Sequence, residues 1–214
     1  MKKTLRFTAL LLAFLLTVTV FFVGCDKNGD SKKDSEKLTP PTYSEDNIES
    51  FVKLGEYKNM TINVREVTSP VDVALWDKIV ANAEVLVYPE DALVYYKSQI
   101  ERSYSFLAEN GDMSYDELLS SLGVTEEDIL VEAKEYIKSD LVKIALVKAE
   151  SLHLSDDEKK RLFDKYSDKF VTTYGYTHEY IRENLEDEIY DTMQYDKMME
   201  FLMLNNTIIT STEE

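Results

Sequence analysis

The chain has 214 residues, a formal net charge of -17 at pH 7 and one cysteine. That acidity speaks against nucleic acid as a partner, because gripping phosphates needs clustered cations, and against a flat docking face on anionic lipid. A lone cysteine rules out an intrachain disulfide, so the fold must be held by its core.

Lys2, Lys3 and Arg6 precede an uncharged run from Phe7 to Cys25, followed by Asp26-Lys27. A short basic region before an apolar run is the layout of a secretory signal, and the positive charges keep the leading end cytoplasmic while the rest is exported. The closing Phe22-Val23-Gly24-Cys25 resembles the lipobox of bacterial lipoproteins, with Phe22 where Leu is usual. The resemblance implies a signal peptide over 1–24, cleavage before Cys25, a diacylglycerol on its sulfur, and a chain anchored to the outer face of the cell membrane. The competing reading is an uncleaved span, since roughly 17–25 apolar residues can cross a bilayer. Both place everything after residue 25 outside the cytoplasm. Without Lys2, Lys3 and Arg6 the formal charge becomes -17 - 3 = -20, which reads equally as a generic solvated surface or as one that draws in cationic clients at long range.

Residues 25–47 are polar and charged, contain Pro40-Pro41, and read as a flexible stalk. Over 48–68 the alternation of Met60, Ile62 and Val64 with polar neighbours has the period of a strand. One strand alone is unstable in water, so this short extended segment must pair with a partner or lie on a helix. From Ser69 the pattern turns helical. Ser69-Pro70 opens a helix to about Asn82 with Val73, Trp76, Ile79 and Val80 on one side, and Glu84–Tyr88 is an extended link. Pro89 starts a second helix ending near Gly111, and Ser114 with Glu117 forms a capping box for a short helix closed by Gly123.

Thr125 caps the next helix, predicted to about Ser151, with Ile129, Ala133, Ile137, Leu141, Ile144 and Ala145 as its apolar stripe. Ser155 with Glu158 opens a helix to about Phe170, and Thr177 opens a last long one carrying Ile181, Leu185, Ile189, Met193 and Leu202. At about 1.5 Å per residue the two long helices should each reach roughly 40 Å. The expected fold is mainly α, with one helical domain over 69–207 and a disordered tail over 208–214.

Little in the chain points to catalysis. His153 and His178 stand apart from each other and from the cysteine, whereas a zinc site needs about three or four convergent ligands. There is no Gly-rich phosphate loop and no G-x-S-x-G. Neither an enzyme, a metal nor a cofactor is expected.

The order of elements from Trp76 resembles the C-terminal chaperone domain of bacterial trigger factor. Four stretches carry the likeness: Asn82-Ala83-Glu84-Val85 leading to Pro89-Glu90; Tyr115–Leu122 leading to Val124-Thr125-Glu126-Glu127-Asp128-Ile129; Leu154-Ser155-Asp156-Asp157-Glu158; and Tyr195-Asp196-Lys197-Met198-Met199-Glu200-Phe201-Leu202. They cover about residues 70–207. Leu54-Gly55-Glu56-Tyr57-Lys58-Asn59-Met60 looks like the opening strand of that family's FKBP-type isomerase domain, yet such a barrel needs on the order of 90 residues and cannot fit before the helices. No ribosome-docking motif is present.

The resemblance implies a cradle of long helical arms, similar to those of SurA and PrsA, holding unfolded or newly exported polypeptides without a cofactor or a catalytic step. Tyr and Met suit adaptable contact surfaces, and Tyr95, Tyr96, Tyr104, Phe106, Met193, Met198, Met199 and Phe201 are the candidate client-binding residues. A Met or aromatic stripe at helical spacing is also the pattern of a core. The rival functions are a helical scaffold lipoprotein docking one defined partner, and a residual prolyl isomerase. The sequence leaves client identity and oligomeric state open.

Overall fold

The computed structural model describes residues 39–210. The predicted secretory signal with Cys25, the predicted stalk up to residue 38 and the end of the predicted tail from residue 211 lie outside the described residues. The described chain is mainly helical: α1 (Val71–Asn82), α2 (Glu90–Asn110), α3 (Tyr115–Leu122), α4 (Glu126–Ala149), α5 (Asp156–Tyr174), α6 (His178–Asn184) and α7 (Glu186–Leu204). A six-residue 3-10 helix (Glu45–Ser50) and four short strands complete it: β1 (Val52–Lys53), β2 (Thr61–Asn63), β3 (Glu84–Val85) and β4 (Thr207–Ile209).

The predicted single helical domain divides into two compact units. The first comprises 39–57 and 76–150, the second 58–75 and 151–210. In the first unit α2 packs on α4 and on α3, and the 3-10 helix and β1 pack on α4. Ser114 and Thr125 accept from the backbone of Glu117 and Asp128, whose side chains answer in reciprocal capping boxes. Ile100, Tyr104, Leu119, Ile129 and Ala133 join the three helices in one cluster. Towards its C-terminal end α4 is buried on several sides, through Leu141, Val142, Ala145, Leu146 and Val147. Ile144, predicted on the stripe, is only half-buried, because the 3-10 helix and β1 cover other flanks of α4.

The stalk assigned to 25–47 ends earlier. Ser44 caps the 3-10 helix by accepting from the Asp46 amide, and Ile48 is buried four residues on. The apolar Ile48 gives this turn enough burial to order it. β1 then pairs antiparallel with β3, matching Val52 to Val85 and Lys53 to Glu84.

In the second unit the predicted strand finds its partner at the far end of the chain. β2 pairs in parallel with β4, Ile62 opposite Ile208, while Met60 and Ile62 are buried. Ile208 and Ile209 are therefore not tail. The Thr207 amide donates to Met60 O at 2.8 Å and the Val64 amide to Ile209 O at 3.1 Å, so strand pairing holds them. Met60 N also donates to Asn206 Oδ1 at 2.8 Å.

α5 runs four residues past the predicted Phe170, to Gly175, whose φ of 72° allows the left-handed cap. The predicted long helix from Thr177 is broken. Leu185 leaves the helical region (φ -132°, ψ 18°) and separates α6 from α7. The Asn184 side chain donates to Tyr180 O, and three acidic residues open α7, where the helix dipole favours them. Leu185 stays in the core beside Phe163, Ile181, Ile189 and Met193.

Candidate functional site

Four of the eight candidate client residues are core. Tyr104 belongs to the α2–α3–α4 cluster, and Met193 packs among Phe163, Ile181, Leu185 and Ile189. Met198 and Met199 are buried with Leu202 on α7. These four present no surface to a client, because the helical spacing that made them conspicuous is the spacing of the inward face.

Tyr95, Tyr96 and Phe201 are half-buried. Tyr95 stands edge-on to Tyr96 with centroids 5.2 Å apart, and Tyr96 stacks on Tyr136 at 5.7 Å. The Tyr96 hydroxyl donates to the Asp140 carboxylate. Burial, and then the Asp140 charge, push its pKa up, so it remains a donor across the physiological range. Burial raises Tyr104 to about 12, and it raises Tyr136, which Glu132 pushes further. Glu132 is itself raised by burial, against an opposing hydrogen bond from Tyr136. These tyrosines form a polar seam between α2 and α4. Phe201 carries the Lys58 ammonium 5.2 Å from its ring centroid.

Phe106 alone of the eight is substantially exposed, at 49%. It has company that the sequence reading missed. Of the eleven large apolar side chains most open to solvent among the described residues, eight belong to the first unit: Leu86, Val87, Val94, Phe106, Leu107, Met113, Leu122 and Val131. The concentration lies in the α2–α3–α4 unit and not among the methionines of α7. Position could have signalled part of it. Met113 sits in the turn between α2 and α3, and Leu122 immediately before the Gly123 stop, where neither can reach a helix core stripe.

The same unit holds a shallow groove of about 440 Å³. Ile48, Val52, Leu54, Leu86, Ala145 and Ala149 make its apolar walls, with Glu49, Lys53 and Lys148 alongside. Lys148 is committed to Glu49 Oε1 at 2.7 Å and Glu45 O at 2.6 Å.

One group in the second unit has the composition of a hydrolytic triad. Ser167 Oγ lies 3.1 Å from His178 Nδ1, and His178 Nε2 lies 3.2 Å from Asp168 Oδ1. Ser167 is wholly buried, and its only hydroxyl proton goes to Asp164 O at 2.9 Å. Its burial leaves Oγ no open face toward a substrate, as nucleophilic attack would require. The contact fastens α6 to α5. Among the described residues no group of three or more His, Cys, Asp or Glu could hold a metal ion, and no helix is long and apolar enough to cross a membrane. Comparison of the chain with protein families, with characterised proteins and with solved structures found no match.

Proposed function

We propose that the chain is a lipid-anchored, extracytoplasmic holdase-type chaperone that binds unfolded or newly exported polypeptides through many weak contacts, without catalysis. The supporting observation is the dispersal of exposed apolar side chains over the first unit, from Leu86 beside β3 to Val131 on α4. Surface scattered in this way offers an extended chain several footholds of modest strength, whereas one stable partner calls for a single larger patch. The lipobox-like Phe22–Cys25 supplies the anchor, and the trigger-factor likeness of residues 70–207 agrees with a helical client-holding module.

The purified protein should suppress aggregation of a reduced or denatured client at near-stoichiometric ratio. No suppression with several unrelated clients would sink the reading. Replacing Cys25 by Ser should release the protein from membranes without unfolding it, and retention would favour the uncleaved span. The groove beside Ile48 and Val52 favours a second reading, a scaffold lipoprotein with one defined partner. A single stoichiometric partner in a pull-down, in place of many unfolded chains, would support it.

A further inference from the structure

The exposed Phe106, Leu107, Met113 and Leu122 lie within one helix–turn–helix. Phe106 and Leu107 are on the last turn of α2, Met113 is in the turn after it, and Leu122 ends α3. The Met113 methyl lies over that last turn, 3.3 Å from where a Cβ on Gly111 would stand. Leu119 and Tyr104 lock the two helices to α4 beneath, so these side chains are displayed on a fixed base.

The charge around them is one-sided. Between Arg102 and Lys134 the chain has eight carboxylates and no Lys, Arg or His. Glu126 is answered by Lys97 at 3.0 Å, and Glu132 is half-buried. Glu109, Asp112, Asp116 and Glu127 are exposed, and no cation of the described chain is within ion-pair distance of them. An apolar surface in such a field discriminates by charge. A neutral segment gains only burial, an acidic one is repelled, and a cationic one gains both burial and attraction. A second copy of this acidic chain would bring the same sign and be repelled.

We propose that the α2–α3 segment is a docking surface for basic, amphipathic polypeptide segments. Their apolar residues cover Phe106, Leu107, Met113 and Leu122, and their Lys and Arg face the surrounding carboxylates. The proposal rests on the reading of the chain as a polypeptide holder and names the chemistry of its preferred client.

The test is a fluorescence-anisotropy titration of the purified protein with two synthetic amphipathic helices sharing one leucine pattern, one built with lysine and the other with glutamate. The Leu/Lys helix should bind about tenfold more tightly, and its advantage should shrink between about 50 and about 300 mM salt. The triple variant Phe106→Ser, Met113→Ser, Leu122→Ser should lose most of that binding while its circular dichroism is unchanged. Leu204→Ser, exposed in the second unit, should leave binding as it was. A charge variant, Glu109→Gln with Asp112→Asn, Asp116→Asn and Glu127→Gln, should narrow the gap between the helices without touching the apolar surface. Equal affinity for the two helices, or undiminished binding by the triple variant, overturns the proposal. A protein that suppresses aggregation yet shows no charge preference overturns this proposal alone. One that neither suppresses aggregation nor binds either helix overturns the holdase reading with it.

Discussion

In the first unit, the α2–α4 contact sets the Tyr96 hydroxyl on the Asp140 carboxylate and stacks Tyr96 on Tyr136 beside the apolar cluster of Ile100, Ile129 and Ala133, and on α1 the Trp76 indole donates to Ser139 at 3.2 Å. In the second, α5, α6 and α7 meet through Phe163, Ile181, Leu185, Ile189 and Met193. Charged pairs such as Arg182–Asp164 stay at its exposed surface. A polar seam is specific but unforgiving, since each buried group depends on its partner's position. A hydrocarbon core depends on volume and tolerates exchange when volume is kept. The two units should therefore respond differently to substitutions that look equally mild.

The largest effect is expected from volume loss in the second unit. Ile189→Ala, at a fully buried position, should cost about 2–5 kcal/mol in urea unfolding. A loss under about 1 kcal/mol would mean the site collapses around the missing methyl groups, and would erase the contrast from that side. Next comes Tyr96→Phe, which keeps the ring but leaves Asp140 without this donor. It should cost about 1–3 kcal/mol, whereas the similarly sized Met198→Leu in the second unit should cost less than about 1.5 kcal/mol. Equal costs would show that the seam is no more exacting than the hydrocarbon core.

The smallest effect concerns pH. Burial lifts the Glu132 pKa above its ordinary 4.5, so the folded state holds this proton more tightly than the unfolded one. Its contribution to stability is complete below about 4.5 and is lost as pH rises through the raised value. Glu132→Gln cannot ionise and keeps an acceptor for Tyr136, so it should melt higher than the parent at pH 7 and converge with it below 4.5. Glu158 in the second unit runs the other way. Lys197 first, and then the Ser155 backbone and hydroxyl, hold it down to about 2. The stability it contributes is present above about 4.5 and is lost as pH falls toward 2. As pH falls from 7, amide protection around Glu132 should rise until about 4.5, and protection around Glu158 should then fall toward pH 2. Parallel movement would contradict both assignments.

Local chemistry was legible in the sequence and distant chemistry was not. The caps at Ser114, Thr125, Ser155 and Thr177 were readable because a cap is written within four residues. The break at Leu185 carries no Gly or Pro, so nothing in the local sequence marks it. The partner of β2 lies almost at the other end of the chain, and no pattern within either strand announces it. Met198 and Met199 were misread because inward and outward stripes share the same helical spacing. Leu107, Leu122 and Val131 were passed over because they belong to neither stripe.

The parallel pairing of β2 with β4 sets a timetable. Every described segment of the first unit precedes residue 151, whereas the second needs both Thr61–Asn63 and Thr207–Ile209. A chain delivered N-terminus first holds everything the first unit requires while β2 is still without its mate, and units generally fold as they are completed. Contacts of such long sequence separation are also slow to form. The second unit can thus close only once the chain has been released as far as Thr207–Ile209, well after the first unit is complete.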